Sequence, residues 1–119
     1  MHQTAAETAR FVASLGALDG GSVQRFVIPP FTSLATAVAA AHASNIWLGA
    51  QNMHWADAGE FTGEISARML TSLGVDLVLI GHAERRQNFG ETDALVRLKI
   101  QAALANGLRV IVCVGESAD

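Results

Sequence analysis

Residues Asp76–Arg86, with the sequence DLVLIGHAERR, decide which fold is predicted for this chain. The four large apolar residues Leu77–Ile80 lie between an aspartate and a glycine, a pattern typical of a strand buried on both faces in a parallel sheet. A charged cluster that begins at His82 follows directly, and therefore lies at the carboxyl end of that strand. Ligand-binding groups collect at this edge in α/β proteins. On charge alone, however, a solvated surface loop is the better interpretation of the cluster.

The rest of the chain alternates between helical and strand patterns around that central stretch. Apolar residues at helical spacing, with caps and glycine stops, predict helices over residues 4–18, from Thr32 or Ser33 to about His42, over residues 66–73, and from a cap at Asp93 to a stop at Asn106. Short apolar runs predict strands at Phe26–Ile28, Ile46–Ala50, Leu77–Ile80 and Val110–Val114. Strand–helix units of this length indicate an α/β fold with four parallel strands and right-handed crossovers.

The composition indicates a globular domain and no affinity for nucleic acid or membranes. Half of the 119 residues are hydrophobic and 16% are charged, which supplies enough apolar material for a core. A net charge of −3 and a pI near 5.7 give no electrostatic reason to expect nucleic acid or an anionic membrane as a partner. No stretch approaches the ~20 apolar residues of a membrane span, and residues 1–5 lack the features of a signal peptide. We therefore expect a cytoplasmic protein.

The cysteine and histidine content gives no sign of disulfide or metal chemistry. Cys113 is the single cysteine, which excludes an internal disulfide and a thiolate zinc cluster. Its place in a predicted strand indicates a buried, unreactive thiol. The histidines show no pair four residues apart with nearby acidic ligands, and no dinucleotide or phosphate-loop motif occurs. We expect neither a metal nor a cofactor.

Three ordered motifs give a closer interpretation of the charged cluster. Gly81–Arg86 followed by Asn88–Asp93 resembles the catalytic-histidine loop of the triosephosphate isomerase family, which usually reads G-H-S-E-R-R and then F-G-E-[ST]-D. Ala50–Asn52 with Phe61–Ser66 is similar to a second family motif, and Val110–Glu116 to a third. Because a complete barrel of this kind takes about 250 residues, the resemblance implies that residues 1–119 form a single partial (β/α)8 TIM-barrel domain. This would be the N-terminal half, lacking the first strand and everything after the fifth.

The resemblance implies an aldose–ketose isomerase that acts on a small phosphorylated sugar. Its reaction interconverts dihydroxyacetone phosphate and glyceraldehyde 3-phosphate through an enediolate, and needs a base, an electrophile and a phosphate grip. His82 matches the electrophile, and the helical loop after it would present backbone N–H groups to one ring nitrogen and keep the imidazole uncharged. Triosephosphate isomerase is itself a standard example of such a neutral histidine. Glu84 matches a glutamate that supports catalysis.

Other positions match structural parts of the family pattern or depart from it. Arg85, Arg86 and Glu91 match residues that form structural ion pairs, and Glu116 matches one that packs outside the substrate site. Ala83 stands where the family usually has serine, so a hydroxyl beside the histidine is missing. The family's catalytic glutamate and phosphate loops have no counterpart in this sequence. The chain alone should therefore bind substrate poorly and isomerise nothing measurable.

A long connection after the second strand matches the family's dimerisation loop, which projects into a pocket of the twin subunit. Loops of this length inside compact domains are usually functional or disordered. The resemblance therefore implies a homodimer. Its interface residues would be Gln51, Asn52, Met53, His54, Trp55, Phe61, Thr62, Gly63 and Glu64. The alternative is an exposed loop whose Trp55 packs back onto its own domain.

Two other functions stay open beside the three-carbon isomerase. The sequence from Asn52 to Gly59 is closer to isomerases that act on four-carbon erythrulose phosphates, so a tetrulose phosphate isomerase is the alternative activity. A different class of function is a non-catalytic half-barrel that assembles with another chain. It follows from Phe26–Ile28 and Val110–Val114, which would be unpaired edge strands.

Overall fold

The computed structural model describes residues 1–18 and 20–115, which form one parallel sheet with helices. The elements in chain order are α1 Ala5–Gly16, β1 Arg25–Val27, a 3-10 turn Phe31–Ser33, α2 Leu34–Ala41, β2 Ile46–Ala50, α3 Ala67–Leu73, β3 Leu77–Ile80, α4 Ala83–Phe89, α5 Asp93–Ala105 and β4 Arg109–Val112. The strands pair in parallel in the order β1-β2-β3-β4. The predicted α/β fold with four parallel strands is therefore confirmed.

The strands differ from their predicted bounds only at the two edges of the sheet. β2 and β3 match the prediction, whereas β1 begins and ends one residue earlier than expected. β4 covers Arg109–Val112 rather than Val110–Val114, because its partner β3 ends at Ile80, which pairs with Val112. Cys113 consequently lies beyond the strand and is half-buried, so the prediction of a buried thiol is wrong.

The helices begin and end close to the predicted positions, with one cap assigned to the wrong residue. The hydroxyl of Thr92 accepts a hydrogen bond from the N–H of Leu95 at 3.3 Å and caps α5. Asp93 was predicted as that cap, but its carboxylate instead pairs with Arg86 at 2.6 Å. None of the helices in the two described ranges is long and apolar enough to cross a bilayer.

One face of the sheet is covered by helices and holds the core. Alternate strand residues such as Leu48, Val78 and Ile80 point to this side and are almost fully buried. The main cluster packs β2 and β3 against α2, α3 and α5, with the members Leu34, Ala50, Met53, Ala67, Leu70, Val75, Val78, Ile80, Val96, Ala103 and Leu108. A second cluster joins α1 and α2 to β2, with the members Val12, Ala37, Ala41, Ile46 and Leu48.

The opposite face of the sheet, which we call the open face, presents Phe26, Trp47, Leu77, Leu79, Arg109 and Ile111. Leu77 is only 2% exposed, whereas the other members are less well covered. Phe26 is 50% exposed, and Trp47, Leu79 and Ile111 are half-buried. The guanidinium carbon of Arg109 lies 4.1 Å from the centre of the Trp47 ring. β3 was predicted to be buried on both faces, and the partial exposure of Leu79 corrects that prediction. The Leu79 side chain lies on the face of the sheet that points away from the helices. Neither of the two core clusters found in the described residues includes it.

Candidate functional site

His82 lies at the carboxyl end of the central strand β3, where the chain turns into α4. Gly81 makes this turn with a φ of 77°, in the left-handed region that glycine adopts without strain. The carbonyl of Gly81 accepts a hydrogen bond from Arg86 Nε at 2.8 Å, which ties α4 to the end of the strand. The His82 side chain is 43% exposed. The ring is therefore held by an ordered turn and can be reached from solvent.

The first turn of α4 orients the imidazole of His82. The ring Nδ1 accepts a hydrogen bond from the backbone N–H of Glu84 at 3.3 Å, so that His82 is the N-cap of α4. A ring nitrogen that accepts a hydrogen bond carries no proton, so the neutral ring has its proton on Nε2. The Glu84 carboxylate lies 3.8 Å from Nδ1 and is largely exposed. The geometry leaves Nε2–H as the donor that can polarise a carbonyl oxygen.

The charged residues that follow His82 hold α4 through two separate ion pairs. Arg85 Nε lies 3.4 Å from the carboxylate of Glu91, and this pair is largely buried. Arg86 lies 2.6 Å from the carboxylate of Asp93, which is exposed. Arg85 and Glu91, two of the three residues expected to form structural ion pairs, therefore pair with each other. The third residue, Arg86, pairs with Asp93, which the sequence had predicted to be the N-cap of α5.

A buried polar cluster behind this turn was missed in the sequence. Lys99 on α5 is only 4% exposed, and Glu91 and Asn52 are also buried. The ammonium of Lys99 donates to Asn52 Oδ1 at 2.8 Å and to Glu91 Oε1. Arg85 reaches the same carboxylate from α4. We call these four residues the Lys99 cluster.

Two positive charges in the Lys99 cluster, those of Lys99 and Arg85, contact the single carboxylate of Glu91. Burial by itself raises the pKa of Glu91, but the hydrogen bond and charge of Lys99, together with Arg85, lower the pKa by more. The resulting pKa lies below the ordinary value of 4.5, so Glu91 is ionised at neutral pH. Its other oxygen, Oε2, is buried and has no hydrogen-bond partner in residues 1–18 and 20–115.

One sequence signal could have indicated Lys99. It lies three residues after Val96 and four before Ala103, so all three share the buried face of α5. A lysine at the rim of an apolar stripe extends its ammonium to water. A lysine inside the stripe has no such route and needs buried acceptors. The identity of those acceptors, however, depends on the tertiary fold.

Residues 51–66 form a loop that folds around His54. The His54 ring stacks on Trp55, with ring centres 4.0 Å apart, and lies 4.1 Å from the Phe61 ring. Its Nδ1 accepts a hydrogen bond from the N–H of Ala56 at 3.0 Å. Met53 is fully buried in the main core. The Met53 side chain therefore packs inside its own domain, and a contact of Met53 with a partner stays a prediction.

The other residues assigned to the interface divide between a buried root and an exposed tip. At the root, Asn52 and His54 are buried, and the amide of Gln51 donates to the carbonyl of Ile28 at 3.1 Å. At the tip, Phe61 is 44% exposed. Three more tip residues are exposed, namely Thr62, Gly63 and Glu64. A cleft of about 460 Å³ lies between the loop and the Lys99 cluster, lined by His54, Trp55, Phe61, Thr62, Glu64, Arg85 and Lys99.

The described residues offer hydrogen-bond chemistry at the strand end and no metal-ligand group. No set of three or more His, Cys, Asp or Glu side chains in residues 1–18 and 20–115 is arranged to hold an ion. Glu116, which was expected to pack outside the site, lies outside the described residues. The candidate site that the geometry offers is the Nε2–H donor of His82, with Glu84 beside it, on a turn held by Arg86.

Comparison with known proteins matches the whole chain to one family. The family model described as triosephosphate isomerase matches residues 1–119. A triosephosphate isomerase from Alkaliphilus metalliredigens is 52% identical over 118 residues, covering 98% of this chain and 48% of the relative. The L-erythrulose-1-phosphate isomerase of Brucella abortus is 46% identical over 122 residues, covering 100% and 48%. The crystal structure of triosephosphate isomerase from Bartonella henselae matches with a TM-score of 0.87 and 39% identity, covering 98% and 49%. The chain spans about half the length of the relatives it matches.

Proposed function

The chain belongs to the triosephosphate isomerase family, and on that premise we propose that it carries the electrophilic part of an aldose–ketose isomerase site. The proposed reaction interconverts dihydroxyacetone phosphate and glyceraldehyde 3-phosphate through an enediolate. The observation that carries this proposal is the orientation of His82. Because its Nδ1 accepts the N–H of Glu84, Nε2–H is the group presented at the carboxyl end of the sheet.

His82 acts on the charge that develops during proton transfer. When a base removes the proton next to the substrate carbonyl, negative charge develops on the carbonyl oxygen, and the Nε2–H group stabilises it. The two enediolate oxygens are neighbours, so one imidazole nitrogen can donate a proton to one oxygen and regain a proton from the other. Glu84 lies beside the ring and supports its position. The base and the phosphate grip have no counterpart in residues 1–119 and come from the rest of a barrel.

A four-carbon ketose phosphate is the second candidate substrate. The sequence from Asn52 to Gly59 resembles the corresponding loop of erythrulose phosphate isomerases, and a relative with that activity is 46% identical to this chain. A triosephosphate isomerase is 52% identical, so overall similarity does not separate the two. The three-carbon substrate remains the first proposal, because the histidine motif is shared by the whole family.

We also propose that the intact protein forms a homodimer through the loop at residues 51–66. The exposed tip, with Phe61 and Thr62–Glu64, and the flank of Trp55 supply the contact surface. Stacking of Trp55 and Phe61 on His54 gives the tip a defined shape before it meets a partner. A preformed loop loses less conformational freedom on association. A Phe61→Asp variant of a complete barrel should therefore be monomeric in sedimentation velocity.

The proposed activity can be tested in a chimaera. Residues 1–119 replace the matching part of the Alkaliphilus metalliredigens enzyme, and turnover of dihydroxyacetone phosphate and of L-erythrulose 1-phosphate is measured in coupled assays. We expect turnover of the three-carbon substrate by the chimaera and none by the isolated chain. Faster turnover of the four-carbon substrate, also in a matched chimaera with the Brucella abortus enzyme, would favour the second candidate. A folded chimaera that converts neither substrate would contradict the proposal.

A further inference from the structure

The Lys99 cluster connects two segments that are distant in sequence, the root of the loop at residues 51–66 and the turn that holds His82. At one end, Asn52 accepts a hydrogen bond from Lys99 at 2.8 Å, across 47 positions of the chain. In the middle, Lys99 and Arg85 donate to the same oxygen of Glu91. The cluster is therefore a continuous set of polar contacts from the loop after β2 through α5 to α4.

The backbone carries these contacts from Arg85 to the histidine. The N–H of Arg85 donates to the carbonyl of His82 at 2.9 Å, and the N–H of Glu91 donates to the carbonyl of Arg85 at 3.2 Å. Ala83 and Glu84 lie between His82 and Arg85 in this turn, and the N–H of Glu84 orients the imidazole. The first turn of α4 is thus bound on one side by Glu91 and on the other side by the ring of His82.

We propose that Lys99 is a positioning residue for His82, and that it couples the placement of the loop at residues 51–66 to the orientation of the imidazole. The inference rests on the proposed role of His82. A buried ammonium that loses its partners is an uncompensated charge, which strongly destabilises a protein. When Asn52 or Glu91 moves, the Lys99 ammonium must therefore move with it to keep its hydrogen bonds. A displaced loop root then changes the position of Glu91, and with it the position of Arg85 and the first turn of α4.

The position of the imidazole proton distinguishes this role from simple stabilisation. A cluster that only supports the fold would lower the melting temperature when it is broken, without changing which nitrogen of His82 carries the proton. A positioning cluster would loosen the contact between the Glu84 N–H and Nδ1. The ring would then be free to carry its proton on Nδ1. The share of that tautomer reports the coupling directly.

The experiment measures the nitrogen-15 shifts of the imidazole of His82 in the 119-residue chain, with the signal assigned by its loss in a His82→Gln variant. Lys99→Met is compared with Arg97→Met, which removes the same charge from an exposed position on the same helix. We expect Lys99→Met to raise the population of the Nδ1-protonated tautomer about two- to thirtyfold. Arg97→Met should leave that population unchanged.

A second variant keeps the test decisive if Lys99→Met does not fold. Asn52→Ala removes only the contact at the loop and retains the Lys99–Glu91 pair, and we expect a smaller shift in the same direction. A folded Asn52→Ala chain whose His82 signals equal those of Arg97→Met would overturn the proposal. This readout does not require catalysis. An inactive chimaera with the tautomer shift would reject the proposed function alone, and an active chimaera without the shift would reject only the coupling.

Discussion

The two faces of the sheet are built from the same strands and are covered to different extents. On the helix-covered face, Leu48, Val78 and Ile80 are almost fully buried. On the open face, Phe26 is half exposed and Leu79 is half-buried, and of the large apolar residues described there Leu77 alone is as well covered as those in the core. Because successive side chains point to opposite faces, what differs is the presence of helices on one side only.

This difference shows where further packing belongs. In (β/α)8 barrels the inward-facing side chains of the strands fill the centre of the barrel. The matched structure from Bartonella henselae is about twice as long as this chain. The open face therefore corresponds to the inner face of a barrel, and the helix-covered face corresponds to its finished outer layer. His82 follows the end of β3, at the edge where both faces meet.

The largest expected effect comes from a matched pair of leucines, one buried by the helices and one on the open face. Leu70→Ala should lower the free energy of unfolding of the 119-residue chain by about 2–5 kcal/mol, because it leaves a cavity in the main core. Leu79→Ala should lower it by about 1 kcal/mol or less. Urea denaturation of both variants measures the difference.

The same two substitutions also test whether the two faces of the sheet really differ in packing. In the chimaera the rest of the barrel covers the open face, so the loss caused by Leu79→Ala should rise into the range expected for Leu70→Ala. Equal losses in the isolated chain would mean that the open face is already packed. A loss that depends on protein concentration would then support the alternative of a self-assembling half-barrel.

A smaller effect is expected from Glu91, whose carboxylate is buried on the helix-covered side. Because the pKa of Glu91 is lowered in the folded state, the ionised carboxylate contributes stability above its ordinary value of 4.5. That contribution is lost as pH falls through the lower folded-state value. Glu91→Gln should therefore cost about 1–3 kcal/mol at neutral pH, and the difference from wild type should shrink as the pH falls below 4.5.

A matched carboxylate on the surface serves as the control for this pH dependence. Hydrogen bonds from Thr4 lower the pKa of Glu7 as well, but that side chain is exposed. Glu7→Gln should change the stability far less than Glu91→Gln. If the gap between wild type and Glu91→Gln stayed constant from neutral to acid pH, burial of an ionised Glu91 would be disproved.

The order of elements and the location of the histidine could be predicted from local pattern alone. The runs in β2 and β3 are bounded by residues that stop strands, so their limits agree with the structure. Gly81 directly before His82 predicts a turn at the strand end, and the turn is present. The strand limits and the turn are set by residues that are adjacent in the sequence, so both could be predicted from it.

The open face and the Lys99 cluster depend on contacts that the local pattern does not contain. Four apolar residues in β3 predict two apolar faces, but not which face the helices cover. Asn52 and Lys99 meet only because the fold brings the loop after β2 against α5. Met53 lies in a loop without periodicity, so its burial could not be separated from the exposure of Phe61.

The most direct test of the account is the turnover number of the chimaera with His82→Gln. Glutamine retains a hydrogen-bonding side chain at a partly exposed position, so the melting temperature should change little. We expect kcat to fall by about 10²–10⁴-fold, because an amide neither places its donor where the imidazole Nε2–H lies nor passes a proton between the two substrate oxygens. A folded His82→Gln chimaera that converts dihydroxyacetone phosphate as fast as the unsubstituted one would contradict the account.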